Sequence, residues 1–146
     1  MKSVYRQFTD QIAADASRSA SKPLHLSPFS WLTGEWIWLG QPVYFANTPY
    51  GLSLNADPFL IHNAEADMWV LALADPDAFG ILLGLGMRNG EALFTGDVTI
   101  AGKAVRLRQT WRHRQEYTVE IENERYSDGQ WQRWDRGILE RVNPPN

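Results

Sequence analysis

Hydrophobic and polar residues alternate over most of the chain after residue 28, a pattern typical of half-buried β-strands. In residues 104–112, one face carries Val105, Leu107, Gln109 and Trp111, and the other carries Arg106, Arg108, Thr110 and Arg112. Such runs are separated by pairs such as Asn89-Gly90 and Ala101-Gly102, which favour tight turns. From Phe79 onward, the pattern predicts antiparallel strands in an up-and-down meander.

The segment from Phe29 to Leu39 is predicted to open the sheet, because it holds three of the seven tryptophans around the single glycine Gly34. The residues before it have helical spacing instead, with Val4, Phe8, Ile12 and Ala13 on one face. We therefore predict an N-terminal helical segment over residues 1–27, which fits a lid, a plug or a docked tail.

Three regions are ambiguous by pattern alone. Residues 46–58 are rich in Asn, Pro, Gly and Asp and are predicted to be a loop region, and residues 113–115 are predicted to turn. Residues 79–87 form a nearly continuous apolar run that resembles a helix, but its three glycines would each cost about 1 kcal/mol there. Glycines suit strongly bent barrel strands, so we interpret this run as a strand.

The strand count is eight to ten. A sheet with so many curved strands avoids exposed edges by closing on itself. We therefore predict an all-β protein, with a single antiparallel up-and-down β-barrel over residues 28–143. A barrel of this size has an interior that side chains fill or that holds one small ligand.

Composition narrows the function classes. The chain has 146 residues, which suits one domain, and its net charge of −3 gives no reason to expect nucleic acid as a partner. The absence of Cys excludes disulfides and thiolate metal sites and favours a reducing compartment. No apolar run is long enough for a membrane span, and Arg6 and Asp10 interrupt any signal peptide, so a cytoplasmic location is expected.

The stretch Leu32-Thr-Gly34-Glu-Trp36 resembles the first-strand signature of the calycin superfamily, which includes lipocalins, fatty-acid-binding proteins and nitrobindin-like and related lipocalin-like bacterial domains. Gly34 and Trp36 match its Gly-x-Trp motif. The resemblance covers roughly residues 29–142 and implies a lipocalin-like barrel. It also implies that a basic residue on the last strand packs across the tryptophan and closes the barrel. Arg141 is the best match for that residue, with Arg136 second.

Two properties of these relatives are not carried over. Fatty-acid-binding proteins hold a carboxylate with Arg-x-Tyr on the final strand, where this chain has Gly137 and Leu139. Nitrobindin-like domains bind haem through a late histidine, whereas the last histidine here is His113, in a different context. We therefore expect neither that carboxylate site nor haem, and no other cofactor.

The leading functional hypothesis is non-catalytic binding of a small hydrophobic or amphipathic ligand inside the barrel. Large rings suit the wall of such a cavity, and a few polar groups would set specificity. The candidate rings are Trp38, Tyr44, Trp69, Trp111 and Tyr117, and the candidate polar groups are His62, Gln109 and Arg133.

Two other classes of function fit the same sequence. One is an isomerase, cyclase or hydrolase acting on a hydrophobic substrate, for which Asp57, Glu65, Asp75 and Asp77 offer carboxylates. The other is a filled barrel that serves as an interaction module, and a homodimer is compatible with the sequence.

The three histidines, His25, His62 and His113, are too dispersed for a metal site. The basic run from Arg106 to Arg114 fits an anion site or, better, a face paired with the following glutamates.

Overall fold

The computed structural model describes residues 3–23 and 27–142. His25 and the predicted barrel end at Asn143 lie outside these ranges. The described residues form one helix, α1 (Val4–Ala20), a short 3-10 turn (Ser30–Leu32) and ten strands. The strands are β1 (Gly34–Trp38), β2 (Gln41–Thr48), β3 (Gly51–Leu54), β4 (Asp57–Asn63), β5 (Met68–Asp75), β6 (Ala78–Arg88), β7 (Glu91–Ile100), β8 (Lys103–Gln115), β9 (Thr118–Ser127) and β10 (Gln130–Arg141).

The strands form a closed barrel in which each pairs antiparallel with its neighbours in sequence. The barrel is sealed where β1 pairs with β10 and Trp36 lies opposite Arg141. The predicted all-β antiparallel barrel of eight to ten strands is therefore confirmed. The apolar run at residues 79–87 lies in β6, as its glycines indicate.

The sequence prediction was wrong in two stretches. Residues 46–58 are not one loop, because they contain the end of β2, all of β3 and the start of β4, joined by tight turns. The strand β3 has only four residues, too few for its alternation to stand out among turn-forming neighbours. Residues 113–115 continue β8 rather than turning, and His113 stacks on Trp31 with ring centroids 3.8 Å apart.

The helix α1 packs along the outer wall of the barrel, mainly across β4. Its buried residues, Ile12 and Ala16, pack against Ile61 and Ala72. The sequence pattern placed Ala13 on this face, but Ala13 is exposed. The helix is thus docked on the side wall of the barrel. Among the described residues, no helix is long and apolar enough to cross a membrane.

Candidate ligand-binding cavity

One end of the barrel is closed by the contact between its first and last strands. The Arg141 guanidinium carbon lies 4.4 Å from the centroid of the Trp36 ring. The same guanidinium donates hydrogen bonds to the carbonyls of Trp31 and Thr33. Trp36 is fully buried, and its indole N–H donates to the Leu32 carbonyl at 2.8 Å. Arg141 therefore ties β10 to the 3-10 turn that precedes β1.

Gly34 is required by the geometry of this closed end. Its φ of +115° lies in the region that favours glycine. A Cβ added at Gly34 would also lie 3.0 Å from an Arg141 guanidinium nitrogen. The spacing of Gly34 and Trp36 therefore has a direct physical reason: the glycine makes room for the arginine that covers the tryptophan.

The interior next to the closed end is filled by large side chains. Phe29 is 1% exposed, and its ring meets Trp69 edge-on with centroids 4.9 Å apart. The Phe94 ring lies on another side of Phe29, at 6.3 Å. Leu32, from the 3-10 turn, is completely buried beside them. These side chains form a packed floor across the barrel.

Above this floor the barrel contains a cavity of about 740 Å³ that opens at the opposite end. Most of its wall is apolar, including Trp38, Phe45, Phe59, Leu73, Leu107 and Trp111. Three of these rings form a continuous band: Phe59 contacts Phe45 at 5.5 Å and Trp111 at 5.8 Å between centroids. The cavity therefore has an aromatic side and a packed, apolar floor.

A chain of hydrogen bonds crosses one side of the wall. The Trp111 indole N–H donates to the Gln109 side-chain oxygen at 2.7 Å, and the Gln109 amide donates to the Asn123 oxygen at 3.0 Å. The Asn123 amide donates in turn to an Asp135 carboxylate oxygen at 2.8 Å. The chain begins on a buried ring and ends on an exposed carboxylate near the mouth.

Both ends of this chain fix its direction. An indole N–H only donates, and an ionised carboxylate only accepts. Asn123 must therefore donate to Asp135, and Gln109 must accept from Trp111, which sets the orientation of both amides. Each amide group has two N–H donors and uses one in the chain, so each retains polar capacity for a molecule in the cavity.

A β-bulge in β10 determines which polar groups reach this wall. The register with β9 shifts between Arg133 and Asp135, so Trp134 is the extra residue. Trp134 and Asp135 both line the cavity. Arg133 instead pairs with Glu122 at 2.9 Å outside the barrel.

The residues predicted to bind ligand have different positions. Trp38, Gln109 and Trp111 line the cavity. Trp69 faces the interior but belongs to the floor, and His62 lies beside it with ring centroids 5.0 Å apart.

The other three candidates lie away from the wall. Tyr44 pairs with Glu35 on the outer face of β2 and is 56% exposed. Tyr117 lies in the turn between β8 and β9, where its carbonyl accepts from the Arg141 N–H. Arg133 is on the outside for the reason given above. The structure therefore brings together three of the eight predicted residues at this cavity.

Sequence reasoning missed several groups of the wall, namely Phe45, Phe59, Asn123, Trp134 and Asp135. Phe45 has a signal in the sequence, because it shares parity with Val43 in a strand paired to the tryptophan-rich β1. Asn123 could have been found by its position two residues after Ile121 on the inward face of β9. Asp135 has a signal in the sequence, because it shares parity with Leu139 on β10, whereas Trp134 reaches the wall only through the bulge, which alternation does not reveal.

The mouth of the cavity is acidic. The charged residues that line the cavity are Asp57, Asp75, Asp77 and Asp135. Asp75 also accepts a hydrogen bond from the Asp77 backbone N–H at 2.8 Å, so it shapes the turn between β5 and β6. Asp57 begins β4 and Asp135 lies on β10, so carboxylates stand on different sides of the opening.

The basic run of β8 lies on the outer face and is paired with carboxylates. Arg108 donates two hydrogen bonds of 2.9 Å to Glu124, which hold the pKa of Glu124 below its usual range. Arg112 lies within ion-pair distance of Glu91, Glu120 and Glu122. This arrangement matches the paired face favoured from sequence, with a register in which Arg108 faces Glu124.

Within residues 3–23 and 27–142, no group of three His, Asp or Glu side chains could hold a metal ion. His62 has an Asp67 oxygen 3.4 Å from its Nε2, whereas His113 is stacked on Trp31. The two described histidines therefore lie in separate environments. The cavity wall contains neither of them.

No model of a known protein family matches this chain, and no characterised protein is significantly similar to it in sequence. The geometry of the barrel is therefore the guide to its function.

Proposed function

We propose that the protein binds a small hydrophobic or amphipathic molecule in the barrel cavity, without catalysis. The observation that carries the proposal is a cavity of about 740 Å³ above a packed floor. Pockets for small ligands are commonly about 300–1,000 Å³, mostly apolar, with a few placed polar groups. An apolar ligand gains about 25 cal/mol for each Å² that it buries against such a wall.

The sequence resemblance to the calycin superfamily supports the same proposal, because proteins of that group hold small ligands in lipocalin-like barrels. The contact of Arg141 with Trp36 is the barrel closure that the resemblance implies. Membership of that superfamily remains our proposal. A cytoplasmic location and a homodimer are compatible with it and stay predictions.

The two alternative functions receive less support. An interaction module with a filled interior does not account for the cavity, although Leu83, Leu85 and Leu93 are exposed on the outer face. An enzyme would need an acid or base beside the bound substrate, and the described carboxylates of this site lie at its mouth. Ligand binding accounts for the deeper, apolar part of the cavity as well.

The test uses a neutral fluorophore, N-phenylnaphthylamine, whose emission rises in apolar surroundings. We expect saturable binding with one site per chain, and displacement by dodecanol. A Leu73→Trp variant, which adds a ring to the wall, should abolish binding. The matched Leu83→Trp variant, with its ring on the outer face, should bind as the parent does. Absence of saturable binding, or equal loss in both variants, would contradict the proposal.

A further inference from the structure

The charges around the cavity identify the chemical class of its ligand. We propose that the ligand is an amphiphilic organic cation, with its apolar body against the aromatic band and a protonated amine among the carboxylates at the mouth. This inference rests on the proposed binding function and adds the class of ligand to it.

The charged residues that line the cavity are all acidic. Asp57, Asp75, Asp77 and Asp135 line the cavity, and no Lys or Arg among the described residues does so. Two cations stand next to lining residues: Lys103 pairs with Ile100, and the Arg125 guanidinium carbon lies 6.0 Å from the Trp134 ring. They offset two of the four negative charges, so the mouth keeps an excess of negative charge. A carboxylate ligand would meet repulsion here, whereas an ammonium group would be attracted.

The hydrogen-bond chain in the wall has a fixed direction that leaves acceptors at the mouth. The chain from Trp111 through Gln109 and Asn123 ends on Asp135, which accepts from Asn123 with one oxygen. An ionised carboxylate has two acceptor oxygens and no donor. The polar end of this wall therefore presents acceptor capacity, which suits a ligand group with several N–H donors. A charge-assisted hydrogen bond of this kind is about twice as strong as a neutral one.

The spread of the carboxylates suits an organic cation rather than a metal ion. They stand on β4, β5, β10 and the turn between β5 and β6, and the described residues contain no cluster that could coordinate a metal. Carboxylates spread around an opening suit a cation that also has an apolar body. The cavity below supplies the place for that body, with Phe45, Phe59 and Trp111 along one side.

The experiment compares three ligands with the same tail: dodecylamine, dodecanol and dodecanoate. Each competes with N-phenylnaphthylamine at about pH 7, where an alkylamine is protonated and a carboxylic acid is ionised. At low ionic strength we expect the amine to bind about tenfold more tightly than the alcohol, and dodecanoate to bind most weakly. Because salt screens charges at the mouth, the difference should shrink strongly at about 0.5 M salt.

Isosteric variants locate the effect. Asp57→Asn, Asp77→Asn and Asp135→Asn each keep an oxygen acceptor and remove a charge. Each should lower the ratio of the amine affinity to the alcohol affinity about threefold, because only the amine loses a charge–charge attraction. The control is Asp97→Asn on the outer face, where Asp97 pairs with Arg106, and it should change neither affinity.

The outcomes distinguish the two proposals. Equal binding of all three ligands, or tighter binding of dodecanoate, would contradict the proposal that the ligand is a cation. The proposed binding function would be unaffected by either result. Unchanged selectivity in all three mouth variants would also contradict the cation proposal. If neither the fluorophore nor any of the ligands binds, both proposals fail together.

Discussion

The two halves of the barrel use the same strands in opposite ways. Trp36 and Trp38 are two residues apart on β1 and face the same interior. Trp36 is fully buried under Arg141 at the closed end, whereas Trp38 borders the cavity. Position along the barrel axis, rather than the face of the strand, decides whether an inward ring stabilises the fold or is available to a ligand.

The largest expected effect is on stability at the closed end. Trp36→Ala should reduce the free energy of unfolding by about 3–5 kcal/mol, because it leaves a void in a packed region. Trp38→Ala should reduce it by less than about 2 kcal/mol, because its ring already borders open space. Urea denaturation of the two variants measures the difference, and equal losses would contradict the division into a packed half and a hollow half.

The next effect concerns the side chain that covers Trp36. Arg141→Met should destabilise the fold by about 2–4 kcal/mol, because two backbone carbonyls lose a charged donor. The matched control is Arg136→Met, an exposed arginine on the same strand, which should change stability by about 0.5 kcal/mol or less. Thermal unfolding compares them, and a larger loss for Arg136 would show that the closure is assigned to the wrong residue.

A smaller effect is expected where the cavity wall depends on a glycine. A Cβ at Gly137 would lie 2.3 Å from the Trp38 ring, so Gly137→Ala should push that ring out of place. We expect about a tenfold loss of affinity for the neutral fluorophore, with about 1 kcal/mol of destabilisation. Combining it with Trp38→Leu removes the clash, so the double variant should lose less than the sum of the single losses. Strict additivity would indicate that the ring does not mediate the effect.

The smallest expected effect is on the pH dependence of fold stability, through the pair of Arg108 and Glu124 on the outer face of the barrel. The two hydrogen bonds from Arg108 lower the pKa of Glu124 in the folded state. Because the folded pKa is below the unfolded one, the pair stabilises the fold above the unfolded pKa, and this is lost as the pH falls through the folded pKa. Glu124→Gln should therefore lower stability at neutral pH, by less than about 1 kcal/mol, and flatten the acid side of the profile. The exposed Glu140→Gln is the control, and an equal change there would refute the assignment.

The barrel could be predicted from sequence because it depends on alternation. Its closure by Arg141 over Trp36 was expected from the resemblance of Gly34 and Trp36 to the calycin motif. Alternation along β8 gives the inward face with Gln109 and Trp111. It does not give depth, which is why Trp69 is inward but belongs to the floor.

The position of Arg133 could not be predicted in the same way. Counting by twos from Leu139 along β10 places Arg133 inside, but the bulge at Trp134 reverses the parity and places Arg133 on the outer face, where it pairs with Glu122. One extra residue thus replaces the Arg133 side chain by the Trp134 ring at the cavity wall. A bulge arises from the balance of twist and packing between neighbouring strands, and alternation within one strand does not reveal it.

The most direct test of the central claim is to locate a bound ligand by crystallography with a bromine-terminated dodecanol. If the cavity binds the ligand, we expect one anomalous bromine peak inside the barrel, beside Phe59 and Trp111, with the hydroxyl toward the carboxylates of the mouth. Bromine only on the outer face beside Leu83 and Leu85, with an empty interior, would contradict it.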